Sequence, residues 1–368
     1  MKNNTKCLIG CLAITLLIAT ISQTVSIPVN QNMQIVDEYT SVIANDVYYE
    51  NITGFLWRIY VSGNYAYVAA GYEGLVVIDI SNPTNPRTPV YKHTTGYARD
   101  VFVSGDYAYV ANGNEGLAVI DISNPTNPGT PVTMNTTGSA HGVFVSENYA
   151  YVADGREGLV VIDISDPTNP GAPVIMNTTG FAFGVYVRGD YAYVADGYEG
   201  LAVIDISNPT SPGTPVNMNW IGRALGIFVS GNYAYVANEY EGLVVINISN
   251  PTSPGSPVSI TTNGLSSGVY VSGDHAYVAD GNEGLAVIDI SNSTSLGSPV
   301  YIDTNGFARG VFVRGNYAYV VNSYSGLAVI QLSTEVNGLG INEVFFIAIG
   351  IMVVAAIILV IAIIWRRI

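Results

Sequence analysis

The chain has 368 residues, 13 of them Lys or Arg and 28 Asp or Glu, for a formal net charge of −15. That length allows one large domain or two ordinary ones, and so acidic a chain is a poor grip for the phosphates of DNA or RNA. Its two cysteines, Cys7 and Cys11, both lie near the start, so no disulfide can brace the rest of the chain.

In residues 1–26, Lys2 and Lys6 precede an apolar run that ends on the small and polar residues before Ile27. That order reads as a secretory signal peptide cut near Ser26. Leu8 to Cys11 imitates a lipoprotein box, but the apolar run continues past Cys11. Residues 27–45 form an N-terminal leader without repeat character.

From residue 46 a unit recurs. The segment GLVVI or GLAVI begins at Gly74, Gly116, Gly158, Gly200, Gly242, Gly284 and Gly326, each 42 residues after the last. One unit, residues 116–157, contains four short β-rich runs separated by Gly, Asn and Pro. VFVS is taken as strand a, nearest the axis, YAYVA as b, LAVID as c and TPVxM as d. Four strands in about 40–45 residues, repeated this often, predict an all-β fold, a seven-bladed β-propeller of four-stranded blades. Strand c is apolar on both faces, as a blade between two others requires.

Strand d follows strand c only six times. The orphan residues 46–52 align with the d strands, and they are expected to pair with residues 327–332 of the last blade. The N-terminal strand then closes the ring, and the propeller spans residues 46–333. A linker, 334–343, leads to the 22 apolar residues 344–365, long enough for one transmembrane helix across a core of ~30 Å. Arg366 and Arg367 follow in the tail 366–368, which the positive-inside rule assigns to the cytoplasm. The expected product is a single-pass cell-membrane protein with its propeller outside. Between Ile27 and Glu343 nine basic residues face all 28 acidic ones, a balance of −19.

The run GLVVIDISNP at residues 74–83 resembles the LVIVD repeat of bacterial and archaeal surface proteins. The resemblance covers residues 46–333 and weakens at Asn247 and in the last copy, GLAVIQLSTE. It implies a propeller and an envelope location, and no general activity.

In an up-and-down blade the b–c and d–a connections share one face, and the chain's anchor is expected at the other. The third residue after each TG pair or its counterpart varies: Trp57, Arg99, His141, Phe183, Leu225, Ser267 and Arg309. So does the first: Phe55, Tyr97, Ser139, Phe181, Arg223, Leu265 and Phe307. The b–c turns add Tyr72, Asn114, Arg156, Tyr198, Tyr240, Asn282 and Tyr324. The candidate ligand funnel is Trp57, Arg99, His141, Phe183, Leu225 and Arg309, rimmed by Tyr72, Arg156, Tyr198, Tyr240 and Tyr324. Aromatic rings interleaved with arginines suit a glycan or an extended peptide, since rings stack and guanidinium forks grip carboxylates. The alternative is that such residues pack the axial hole, and it weighs most on the first-position set.

Other features read as scaffold. Asp79, Asp121, Asp163, Asp205, Asn247, Asp289 and Gln331 share one register, and because an amide serves twice it points to a hydrogen-bond acceptor for backbone N–H groups. Asp154, Asp196 and Asp280 in the b–c turns could ring a Ca²⁺, but Ala70, Asn112 and Ser325 interrupt the pattern. Asx-turns explain these aspartates, so no metal and no cofactor is assigned. No catalytic residue is assigned either, though a His141–Asp100 acid–base pair would suit an enzyme. Sequons at Asn51, Asn135, Asn177 and Asn292 are candidate glycosylation sites, whereas Asn247 sits at the end of strand c. The expected function is recognition or adhesion toward a glycan or protein ligand. The alternatives are a propeller-borne carbohydrate-active enzyme and a self-associating envelope component.

Overall fold

The computed structural model describes residues 40–220 and 222–336. The signal segment, most of the leader, the linker beyond Val336, the apolar stretch 344–365 and the tail lie outside the described residues. Among the described residues no helix is long and apolar enough to cross a membrane. Residues 42–334 form one compact unit.

Among the described residues, seven four-stranded sheets account for the 28 strands. Blade 1 comprises Arg58–Ser62, Tyr65–Ala69, Leu75–Asp79 and Val90–Lys92 as strands a to d, each antiparallel to the next. Strands a and b meet in a two-residue turn, with Gly63 at φ 53°. In blade 3 this position is Glu147, which holds φ 52° without a glycine's freedom.

Alternation along strands b and c explains why both faces are apolar. Tyr67, Ala69, Leu75 and Val77 pack into blade 2 beside Val101 and Val110. Their sequence neighbours Ala66, Val68, Val76 and Ile78 pack the other way, against Tyr319, Leu327 and Val329 of blade 7. Each of the seven hydrophobic clusters fills one interface between successive blades.

Backbone hydrogen bonds lace the same interfaces. Gly71 in the b–c turn of blade 1 exchanges bonds of 3.0 and 2.9 Å with Ala98, just before strand a of blade 2. Equivalent bridges join Gly113 to Ala140, Gly155 to Ala182, Gly197 to Ala224 and Gly281 to Ala308. Ser266 N donates to Glu239 O between blades 5 and 6, and Leu56 N to Ser323 O between blades 7 and 1, both at 2.9 Å.

The ring closes as the repeat count requires: Thr40–Glu50 lies beside Gly326–Val336 as strand d of blade 7. The register follows that of the other blades. A Cβ on Gly326 would meet Glu50 O and Ile52 N, just as one on Gly284 would meet Ile302 O and Thr304 N. The expected bounds need correction, because strand d starts at Thr40 inside the leader and strand c runs past Leu332 to Val336. In blades 1 to 6 a c–d turn reverses the chain soon after strand c, whereas in blade 7 strand d comes from the other end of the propeller sequence, so no turn limits the pairing.

Two outcomes are expected. Deleting residues 27–52 should bare the edge of Gly326–Val336, lower the unfolding midpoint in urea and promote edge-to-edge association; unchanged stability would contradict the closure. Glu147→Gly should raise stability by about 1 kcal/mol in the same titration by removing a strained side chain. A loss would mean that the Glu147 side chain makes a compensating contact.

Candidate functional site

Strand a delivers alternate residues to the interfaces and to the axis. Ile59 and Val61 are buried in the core between blades 7 and 1, so residues 58 and 60 face the channel, and every repeat places its equivalents there.

Deepest are Tyr60, Phe102, Phe144, Tyr186, Phe228, Tyr270 and Phe312. Each ring touches the next, with centroids 4.6–5.2 Å apart, and the circle closes from Phe312 to Tyr60. Their planes differ by 44–57°, about the seventh of a turn that successive blades impose. This aromatic collar narrows the channel. Its signal is present in the VFVS and VYVS runs, whose pattern by itself indicates only a strand.

One step toward the mouth the repeat has Gly142, Gly184, Gly226, Gly268 and Gly310, but Arg58 and Asp100 in the first two blades. The Arg58 guanidinium reaches round the ring, donating at 2.6 Å to both Ser267 O of blade 6 and Arg309 O of blade 7. A Cβ on Gly226 of blade 5 would come 3.4 Å from it. At all five glycines a Cβ would first meet a carbonyl of the next blade, at 2.6–2.8 Å, so glycine at that level lets successive inner strands approach closely. The Asp100 carboxylate accepts from Val101 N at 2.9 Å and Val143 N at 3.0 Å. Desolvation pushes its pKa up to about 6, against the pull of Arg58 and those two amides. Arg58, Asp100 and the collar line a cavity of about 130 Å³.

Above this floor the variable positions converge. Trp57, Arg99, His141, Phe183, Leu225, Ser267 and Arg309 all line one recess of about 200 Å³, together with Arg58, Arg223 and Glu239. Arg99, His141, Phe183 and Arg223 also line a second recess of about 630 Å³, with Phe181, Tyr198 and Arg156. Eight of the eleven residues of the sequence-predicted funnel thus line one recess or the other. Tyr72, Tyr240 and Tyr324 line neither recess and stand exposed on their turns, at 79, 58 and 78%.

The arginines are held by aromatic faces. Arg99 lies 5.3 Å from the Trp57 ring and 5.2 Å from that of Tyr97. Arg309 lies 4.6 Å from the same Trp57 ring and 4.8 Å from Phe307. Arg223 sits 4.4 Å from Phe183 and pairs with Glu239 at 3.2 Å. First-position residues thus act as supports, and Arg223, absent from the sequence-predicted funnel, is part of its wall. Burial lowers the pKa of Arg99 and Arg309 without removing their charge. His141 stacks edge-on to Phe181 and Phe183, both at 5.1 Å. Burial and the nearby Arg99, Arg223 and Arg58 push its pKa down to about 3, so it is neutral.

Five of the nine arginines and lysines between Ile27 and Glu343 line the two recesses: Arg58, Arg99, Arg156, Arg223 and Arg309. The acidic residues there are Glu239, taken by Arg223, and Glu199, which accepts from Asn219 at 3.1 Å. An acidic protein thus carries a cationic funnel.

The scaffold readings are mostly met. Asp79 accepts from Ser81 N at 2.9 Å, and Asn247 does the same for Ser249 N at 2.9 Å. The b–c aspartates need correction, since they do not serve Asx-turns. Asp154 accepts from Thr136 Oγ1 at 2.7 Å and Gly138 N at 2.9 Å, latching the b–c turn to the loop that enters its blade. Asp196 and Asp280 repeat this, and Asn112 and Asn322 receive the equivalent threonines at 2.7 Å. Asn51, Asn135 and Asn177 are exposed just beyond strand d, and Asn292 is exposed on a c–d turn.

Asp100 sets a pH dependence. Its folded pKa lies above the unfolded value, so its contribution is full below pH ~4 and is lost as pH rises through 6, by roughly 3 kcal/mol. Asp100→Asn should remove that decline from unfolding curves between pH 4 and 7. An unchanged pH profile would show that Asp100 is not the group responsible.

The LVIVD repeat model matches residues 53–88, 95–136, 137–178, 179–219, 221–262, 263–304 and 305–334. No curated protein matches the chain. Among solved structures, the chain is similar to U3-55K, with a TM-score of 0.66 at 9% identity over 79% of this chain and 100% of that one. It is similar to the β-propeller domain of Cps50 (Swd1) from Myceliophteria thermophila, with a TM-score of 0.62 at 11% identity, covering 80% and 100%. The WD40 domain of Neurospora crassa Pan2 follows with a TM-score of 0.58 at 13% identity, covering 76% and 89%. At these identities the likeness shows the fold alone. The repeats, by contrast, are matched in all seven blades, and the chain belongs to the LVIVD-repeat family.

Proposed function

We propose that the protein is a membrane-anchored surface module that captures a glycan or protein ligand in its axial funnel. The observation that carries this reading is the charge segregation: five of nine basic residues gather at one mouth of a strongly acidic ectodomain. A seven-bladed propeller is a general scaffold for interaction, and its axis is where non-repeating residues can act on one ligand together.

Anchoring is supported by the apolar run 344–365 with its following arginine pair. Strand c of blade 7 starts at Gly326 on the funnel side and runs away from it to Val336. An anchor beyond that end leaves the funnel facing outward, at the cell surface. Capture is favoured over catalysis because His141 and Asp100, the acid–base candidates of the sequence, are poorly suited to turnover and line different cavities. His141, with a pKa pushed down to about 3, is a weak base. Asp100 already accepts two backbone N–H groups.

Glycan and peptide arrays probed with the full chain test the reading. The combined variant Trp57→Ala, Arg99→Ala, Phe183→Ala should lose capture by at least about tenfold while its melting temperature falls by only a few degrees. Capture that survives would place recognition elsewhere, and a collapse of stability would make these side chains core.

A further inference from the structure

We infer that the funnel takes its ligand end-on, by a carboxylate-bearing terminal sugar of an acidic glycan. This rests on the recognition reading above and narrows it.

The need for an anion comes from Arg99 and Arg309. Both guanidinium groups lie over the one Trp57 ring, at 5.3 and 4.6 Å. Arg309 Nε has a partner, Ser323 Oγ at 3.0 Å, but Arg99 Nε is buried with no hydrogen-bond partner. Two like charges in a partly desolvated site repel each other, and a shared carboxylate relieves both. The nearby protein carboxylates are engaged: Glu239 by Arg223, and Asp100 by Val101 N and Val143 N.

The end-on mode comes from the floor. Arg58 reaches from blade 1 to the carbonyls of Ser267 and Arg309, above the unbroken circle of seven aromatic rings, and together they narrow the channel against a threading chain. One residue can enter the inner recess of about 200 Å³, and those behind it have the outer recess of about 630 Å³.

A glycan fits this space better than a peptide. An extended peptide adds to free backbone donors and acceptors, and around this mouth those groups are taken by bridges such as Gly71–Ala98 and Gly155–Ala182. What remains open are aromatic faces such as Tyr198, 69% exposed, and guanidinium forks.

Calorimetry on the full chain with galacturonate monomer, trimer and hexamer tests this, against a neutral galactose hexamer and a hexaglutamate peptide. Trimer and hexamer should bind alike, with one propeller per chain, and more weakly as salt is raised. Arg99→Met should weaken the trimer about tenfold or more, and Arg309→Met likewise, while Arg87→Ser on the opposite face should change nothing. Affinity that grows with every added unit, or several propellers on one hexamer, would overturn the end-on mode. Tighter binding of hexaglutamate or equal binding of the neutral hexamer would overturn the acidic glycan, yet leave the recognition reading intact. So would silence toward every galacturonate while an array ligand still needs Trp57. Array capture that survives the triple alanine variant would sink the recognition reading itself.

Discussion

The structure depends on the closing strand. Six blades are continuous in sequence, but the seventh exists only because Thr40–Glu50 pairs with Gly326–Val336. Without that pairing the interface between blades 7 and 1 would lose the anchor for Ile52 and Leu56, which pack there with Leu327 and Val329. The ring matters for the site as much as for stability. Arg58 belongs to the first blade, and its carbonyl partners belong to the sixth and seventh. The funnel floor thus spans the seam and forms only when the circle is complete.

Closure also converts a linear period into a radial one. Residues 42 apart in sequence become neighbours around the axis, each turned by a seventh of a revolution. Where all seven are apolar and flat, the result is the collar of Tyr60, Phe102 and their equivalents. Where they differ, the result is a mouth whose walls are Trp, Arg, His, Phe, Leu, Ser and Arg. The same construction thus yields a uniform constriction and, two layers above it, a surface with no symmetry. The charge pattern sharpens the contrast: acidic residues outnumber basic ones in the chain, while five arginines gather at the axis, three of them against aromatic faces and Arg223 also paired with Glu239.

Much of this was legible in the sequence. The count of GLVVI and GLAVI segments determines the blade number, and the orphan strand before the first strand a determines the closure. Variation at the third position after each TG pair or its counterpart identified the funnel wall, because a position free of scaffold duty can differ between copies. Less legible was what acts through three dimensions. Arg58 and Asp100 stand where five blades have glycine, a departure visible in the repeat, but only the fold shows that those glycines sit against carbonyls of the next blade and that Arg58 bonds two such carbonyls. Arg223 looked like packing because its position holds Phe181 and Phe307 in other blades, and its turn toward Glu239 depends on the neighbouring b–c turn. The Asp154 latch resembles a local turn in sequence because its partner, Thr136, lies on the preceding connection. The strand bounds at the seam shifted because two strands paired with each other extend further than a turn-limited hairpin allows.

The central claim is that recognition takes place at the axial mouth built from the non-repeating positions. Hydrogen exchange on the full chain, with and without the tightest ligand from the arrays, tests it most directly. The account predicts slowed exchange in residues 55–60, 97–102 and 307–312 around the mouth, and no change in the c–d turns at the opposite face. Protection confined to those c–d turns, or to the outer strands d, would contradict it.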